Sequence, residues 1–155
     1  MIAVLRKHEH RIQHILAVGD NLLFTIDKAE VLCMWAVSRS EGVVLQSCFQ
    51  LSSISDVNGE EQNDSVETPV PFHTTCLIHP DTYLNKILVG SEDGRMRLWN
   101  VRAEKLVYEF EGWGSPVVCI KQSPALDVVA VGLGDGRVVV HNLKYDKSVM
   151  CFQQV

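Results

Sequence analysis

No apolar run in this chain approaches the length of a membrane span. The first such run, Ile2 to Leu5, stops at Arg6 and Lys7 and is too short for a signal peptide. No C-x-x-C pair occurs. The five cysteines, Cys33, Cys48, Cys76, Cys119 and Cys151, are odd in number and widely spaced, a usage that predicts reduced core thiols in a cytosolic or nuclear protein. Positive charge is not in excess either. The net charge is −5, and between Ser52 and Val70 five acids (Asp56, Glu60, Glu61, Asp64, Glu67) stand with no Lys or Arg. The rest of the chain balances its bases against its acids, so it offers nucleic acid no overall basic field. No segment carries a helical apolar stripe. Paired carboxylates in a defined context, a nucleophile beside a base and a cofactor-holding loop are all missing, so neither a cofactor nor enzymatic activity is expected.

What the chain has is repetition. The run Ile87-Leu88-Val89-Gly90-Ser91-Glu92-Asp93-Gly94-Arg95-Met96-Arg97-Leu98-Trp99-Asn100 aligns without a gap on the run from Val129 to Asn142, an offset of about 42 residues. The match extends upstream, where Cys76 meets Cys119, and downstream, where Phe110 meets Phe152. A weaker third copy runs from His8 to Leu51, with Leu22-Leu23-Phe24-Thr25-Ile26-Asp27 ahead of Trp35. Trp35 and Trp99 stand further apart than one repeat, and the acidic stretch 52–70 accounts for the excess. Rich in Ser, Asn, Glu and Asp, that stretch buries too little apolar area to offset its ordering entropy, and is expected to be a flexible surface insert.

Within each repeat, short Val-, Ile- and Leu-rich runs alternate with turn residues, which reads as strand. Asp93-Gly94 and Asp135-Gly136 each separate two such runs and predict two-residue type I′ hairpins. In the second repeat Met96 and Leu98 alternate with Arg97 and Trp99, as on a half-buried strand. In the third, Val138-Val139-Val140 is apolar throughout, as on a strand buried between two neighbours.

A period near 42 with four short strands and Trp closing the third is the WD-repeat pattern. The fold expected is all-β: about three four-stranded antiparallel β-propeller blades, an incomplete propeller. The boundaries are 1–7 for the end of a preceding blade, 8–51 for a blade, 52–70 for the insert, and 71–111 and 112–155 for two more blades. A propeller closes with about four to eight blades, so the chain is expected to be a fragment, an isoform or part of a longer chain.

WD blades often carry a buried His–Ser/Thr–Asp–Trp network. The first repeat has His8, Thr25 and Trp35, with Ala29 where Asp is expected. The second has Ser91, Asp93 and Trp99, with Val70 near the His position. The third has Asp135, with Trp113 and His141 in place of His and Trp. The blade-signature residues are therefore Trp35, Ser91, Asp93, Gly94, Trp99, Trp113, Asp135, Gly136 and His141, in networks expected to be incomplete in every copy.

More particular runs surround these. Residues 79–91, His79-Pro80-Asp81-Thr82-Tyr83-Leu84-Asn85-Lys86-Ile87-Leu88-Val89-Gly90-Ser91, residues 122–133, the segment His141-Asn142-Leu143-Lys144-Tyr145 and the pair Gly112-Trp113 together resemble the U3 small nucleolar RNA-associated protein twenty-one family, called WD-repeat-containing protein thirty-six in animals. The resemblance is close from about His79 to Phe152, looser from His8 to Leu51 and absent from the insert. It implies a nucleolar, non-catalytic scaffold of the small-subunit processome that supports precursor ribosomal RNA processing. The partners it implies are other WD-repeat processome proteins and the U3 small nucleolar ribonucleoprotein. The alternative is a generic WD-repeat adaptor, such as a substrate receptor for protein modification.

Other features have plainer readings. Arg95, Arg97, Arg102 and Lys105 are candidate contacts for precursor RNA or a partner, and equally an ordinary charged outer face. His8, His10 and His14 lack the neighbouring Cys or acids of a metal site, so no metal is expected. Gly132-Leu133-Gly134-Asp135-Gly136 lies between two strands and has no following Lys, so it reads as a hairpin rather than a phosphate loop. Cys76 and Cys119 occupy equivalent strand positions and read as packing, not nucleophiles. Ser53 and Ser55 in an acidic setting read as plain solvated loop.

Overall fold

The computed structural model describes residues 6–51 and 72–153. The sequence readings for Ile2–Leu5 and for the acidic insert 52–70, Ser53 and Ser55 included, lie outside these residues. The described residues contain twelve strands and no helix. They form three four-stranded sheets, each an antiparallel meander in chain order. The first sheet comprises β1 (Ile12–Val18), β2 (Leu22–Asp27), β3 (Val31–Ser38) and β4 (Gly42–Gln50). The second comprises β5 (Thr74–Ile78), β6 (Lys86–Ser91), β7 (Met96–Asn100) and β8 (Lys105–Phe110). The third comprises β9 (Val117–Gln122), β10 (Val128–Leu133), β11 (Val138–Asn142) and β12 (Lys147–Phe152). Their registers match: Trp35, Trp99 and His141 lie opposite Leu23, Ile87 and Val129. This is the 42-residue repeat expressed as blades.

The core lies between the sheets rather than inside one. Phe24, Ile26 and Leu32 of the first blade meet Ile87, Val89 and Trp99 of the second. Leu88, Met96, Leu98 and Phe110 of the second meet Val129, Val131 and Val139 of the third. The middle blade is thus covered on both faces, and this corrects two readings. On β7, Met96, Arg97, Leu98 and Trp99 are all buried instead of alternating. On β11 Val138 is exposed, because among the described residues a neighbouring blade covers only one side of this sheet. Val118, Met150 and Phe152 are exposed on that blade as well.

The hairpins between second and third strands differ from the type I′ expectation. In the second blade the Ser91 amide donates to the Arg95 carbonyl at 3.0 Å and the Gly94 amide to the Ser91 carbonyl at 3.2 Å. Only Gly94 (φ 91°) has positive φ; Asp93 does not. This is a three-residue loop, a type I turn followed by a left-handed residue. The third blade repeats it with Gly136 (φ 87°), and in the first blade Glu30 adopts the strained conformation (φ 62°). Asp93 and Asp135 serve here as side-chain acceptors, taking the amides of Arg95 at 3.0 Å and Arg137 at 3.1 Å.

Candidate functional site

The first blade holds a complete polar relay. The Trp35 indole N–H donates to Thr25 Oγ1 at 2.9 Å. Thr25 Oγ1 lies 2.6 Å from His8 Nε2, and His8 Nδ1 lies 3.0 Å from Asp27 Oδ2. With Nδ1–H donating to the carboxylate, Nε2 accepts the threonine proton and every atom is satisfied. The other oxygen of Asp27 accepts the amides of Ala29 at 2.9 Å and Val31 at 3.1 Å. Burial alone would push the Asp27 pKa up. The His8 hydrogen bond and the two amides outweigh it and hold Asp27 below its ordinary value. The expectation of a missing acid in this blade is therefore corrected. Ala29 does occupy the Asp93 station, but Asp27, two residues earlier, turns inward and takes the role.

Thr25, His8 and Asp27 have the outward form of a nucleophile, base and orienting acid. Thr25 is buried, however, and its oxygen both accepts from Trp35 and donates to His8. The arrangement ties strand to strand.

In the second blade the equivalent of Thr25 is Val89, opposite Arg97 as Thr25 is opposite Cys33. Ser91 sits at the station of Asp27, and its hydroxyl faces Asp93 and the Arg95 carbonyl, not Trp99. Burial raises the Asp93 pKa less than Arg95 and Ser91 lower it, and it rests below its ordinary value. Among the described residues Trp99 Nε1 has no hydrogen-bond partner, and the ring packs against Phe49 at 5.6 Å. In the third blade Val131 takes the Thr25 station and His141 that of Trp. His141 packs edge-on against Trp113 at 5.2 Å and Phe110 at 5.7 Å. Its Nε2 lies 3.1 Å from Asp146 Oδ1, close enough for ion pairing but too far out of line for a hydrogen bond. Trp113 donates to Ser148 Oγ at 3.2 Å.

The four basic residues divide. Arg97 is not on an outer face. It is buried, pairs with Glu109 at 2.5 Å and lies over the Phe72 ring at 4.2 Å. The covering first blade removes it from solvent, which corrects its reading as an RNA or partner contact. Arg95 is engaged by Asp93 and by Glu109 at 2.7 Å. Arg102 and Lys105 are exposed, flanking a turn in which Asn100 accepts the amides of Arg102 and Ala103. Among the described residues neither has a salt-bridge partner.

The histidines are dispersed. His8 serves the relay, His10 is exposed and His14 Nε2 donates to the Thr74 carbonyl at 3.0 Å in the next blade. No group of three metal-ligating side chains occurs among the described residues. Burial, its largest cause, pushes the Cys76 thiol up to about 11, the opposite of nucleophile activation. Sequence reasoning missed Asp27, Glu109 and Glu30. Glu30 accepts the Thr74 amide at 3.0 Å across the blade interface. The T-x-D spacing of Thr25 and Asp27 was the available signal for the first.

The family model described as the WDR36/Utp21 first beta-propeller matches residues 1–155. The chain belongs to this family. WD repeat-containing protein 36 of Homo sapiens is 36% identical over 154 residues, covering 99% of this chain and 15% of that protein. The U3 small nucleolar RNA-associated protein 21 homolog of Schizosaccharomyces pombe is 49% identical over 81 residues, covering 52% of this chain and 9% of the relative. U3 small nucleolar RNA-associated protein 21 of Saccharomyces cerevisiae is 23% identical over 138 residues, covering 89% and 13%. The chain thus spans a small part of the length of these relatives. The crystal structure of RRP9 WD40 repeats superposes with a TM-score of 0.71 at 16% identity, covering 98% of this chain and 41% of that one. That likeness speaks to the fold, and with the three meander sheets it makes the family's blades WD-repeat blades.

Proposed function

We propose that the chain is a non-catalytic scaffold in assembly of the small-subunit processome, supporting precursor ribosomal RNA processing in the nucleolus. The observation that carries this reading is the family match along the whole chain, to relatives named for association with the U3 small nucleolar RNA. The partners it gives the protein are other WD-repeat processome proteins and the U3 ribonucleoprotein. The polar groups set out like catalysts lend it support, since in Thr25 and His8 they are consumed in holding strands together. Of the four candidates Arg95, Arg97, Arg102 and Lys105, the last two are the ones free to meet precursor RNA or an acidic partner.

Depletion of the protein is expected to leave precursor ribosomal RNA uncut, with rescue by the wild-type gene. Affinity purification is expected to return U3 ribonucleoprotein and WD-repeat processome proteins. Normal processing after depletion would overturn the reading, as would purification of ligase subunits with no nucleolar protein. The double change Arg102→Glu with Lys105→Glu is expected to reduce RNA crosslinking to this domain without altering its thermal unfolding.

A further inference from the structure

Cys33 on β3 and Cys48 on β4 are register partners in the first blade. Backbone bonding shows which kind of pair they form. The Leu51 amide donates to the Glu30 carbonyl at 2.9 Å, and the Val37 amide to the Asn21 carbonyl at 2.8 Å. Hydrogen-bonded and non-hydrogen-bonded pairs alternate along an antiparallel ladder. Stepping from either bond turns the backbone groups of Cys33 toward Thr25 on β2, and leaves Cys33 and Cys48 as a non-hydrogen-bonded pair. In such a pair the Cα atoms stand about 4.5 Å apart with side chains on one face, within the separation a disulfide spans.

Both thiols are free, and the Cys33 thiol is raised by Cys48 beside it. Their exposures are complementary: Cys33 is fully buried, while Cys48 lies half-buried on the outermost strand of the blade. No other cysteine faces a thiol across its own sheet. Cys76 lies opposite Gly90, Cys119 opposite Gly132 and Cys151 opposite Val139.

We propose that Cys33 and Cys48 form a peroxide-sensitive dithiol, which closes to a cross-strand disulfide and fastens the outer strand β4 to β3. Cys48, the reachable sulfur, attacks one oxygen of hydrogen peroxide as its thiolate. The O–O bond breaks, Cys48 becomes a sulfenic acid, and the departing hydroxide takes up the proton that the Cys48 thiol released and leaves as the first water. The Cys33 sulfur then attacks the sulfenic sulfur, the S–S bond forms, and the hydroxyl departs with the Cys33 proton as the second water. The two thiols together lose two electrons and two protons, and the peroxide is reduced to two waters. Burial raises the Cys33 thiol to about 12, with the neighbouring Cys48 adding to the effect, so Cys33 is suited to the second step and not the first.

The test is peptide mapping under non-reducing conditions of the purified full-length protein, with and without peroxide. The expected product is a linked peptide pair joining Cys33 to Cys48, two hydrogens lighter than the free peptides, which a dithiol reductant reopens. Oxidation is also expected to raise the thermal midpoint of this domain, a shift that Cys48→Ser abolishes. Cys48→Ala serves if that variant folds poorly, and mapping of the wild type stands without either. The proposal is overturned if both thiols remain free, if Cys48 proceeds to sulfinic acid without a link, or if either sulfur is found joined to Cys76, Cys119 or Cys151.

Discussion

Val89 stands where Trp99 needs an acceptor. In the preceding blade the same station is Thr25, which takes the Trp35 indole proton at 2.9 Å. In the second blade the buried indole nitrogen is left without a partner among the described residues. Val89→Thr is therefore expected to be neutral or stabilising by up to about 1 kcal/mol, as the new hydroxyl finds a ready donor. The same change at Val131 is expected to destabilise by about 1–2 kcal/mol, because its station faces His141, already beside Asp146 and Ser148. Urea unfolding of both variants decides it; equal losses would refute the assignment of stations.

The opposite change at Thr25 strips the first blade's relay. Thr25→Val leaves the Trp35 indole and His8 Nε2 unpaired, an expected loss of about 2–3 kcal/mol. Denaturant midpoints measure it, and a loss below about 0.5 kcal/mol would mean the relay contributes little.

At Gly90 the second and third blades approach closely. A Cβ there would sit 2.6 Å from Val117 Cγ1 and 2.9 Å from Cys76 Sγ. Gly90→Ala is expected to cost about 1–3 kcal/mol through overpacking, measured by thermal unfolding. An unchanged midpoint would show that the blades separate without strain.

Arg97 and Arg102 separate burial from charge. Arg97→Ala removes one of the two arginine partners of Glu109 and the cation over Phe72, and is expected to cost about 3 kcal/mol. Arg102→Ala is expected to change stability by less than about 0.5 kcal/mol. Paired unfolding curves test this, and similar losses from both would place Arg97 at the surface.

His141 gives stability a pH dependence. Burial, its largest influence, lowers its pKa, and the opposing Asp146 only reduces the shift. The folded state then binds fewer protons than the unfolded state in the window below the ordinary histidine pKa. Its contribution is full above about pH 6.5 and is lost as pH falls through the depressed folded value. The unfolding midpoint is expected to drop more between about pH 7.5 and pH 5.5 in the wild type than in His141→Phe. Parallel drops would remove His141 from the account.

Much of the fold was legible because a repeat makes the chain its own comparison. The offset between Ile87 and Val129 located the strands, and Asp93-Gly94 and Asp135-Gly136 located the hairpins. The site was less legible. Thr25 and Asp27 were visible, but their roles depend on which side chains turn inward around a loop whose left-handed residue is Glu30. The misreading of Ser91 has the same origin: two stations adjacent on one strand face differ in whether they meet Trp or the turn.

By itself the sequence determined the period, the strands and the family resemblance, since these follow from residue type at fixed spacing. Only the tertiary structure decided which residues are buried. A strand's two faces are covered by neighbouring sheets, not by its own alternation. That is why Arg97, in the enclosed middle blade, is a core ion pair, while Val138, on a sheet that the described residues cover on one side, is exposed.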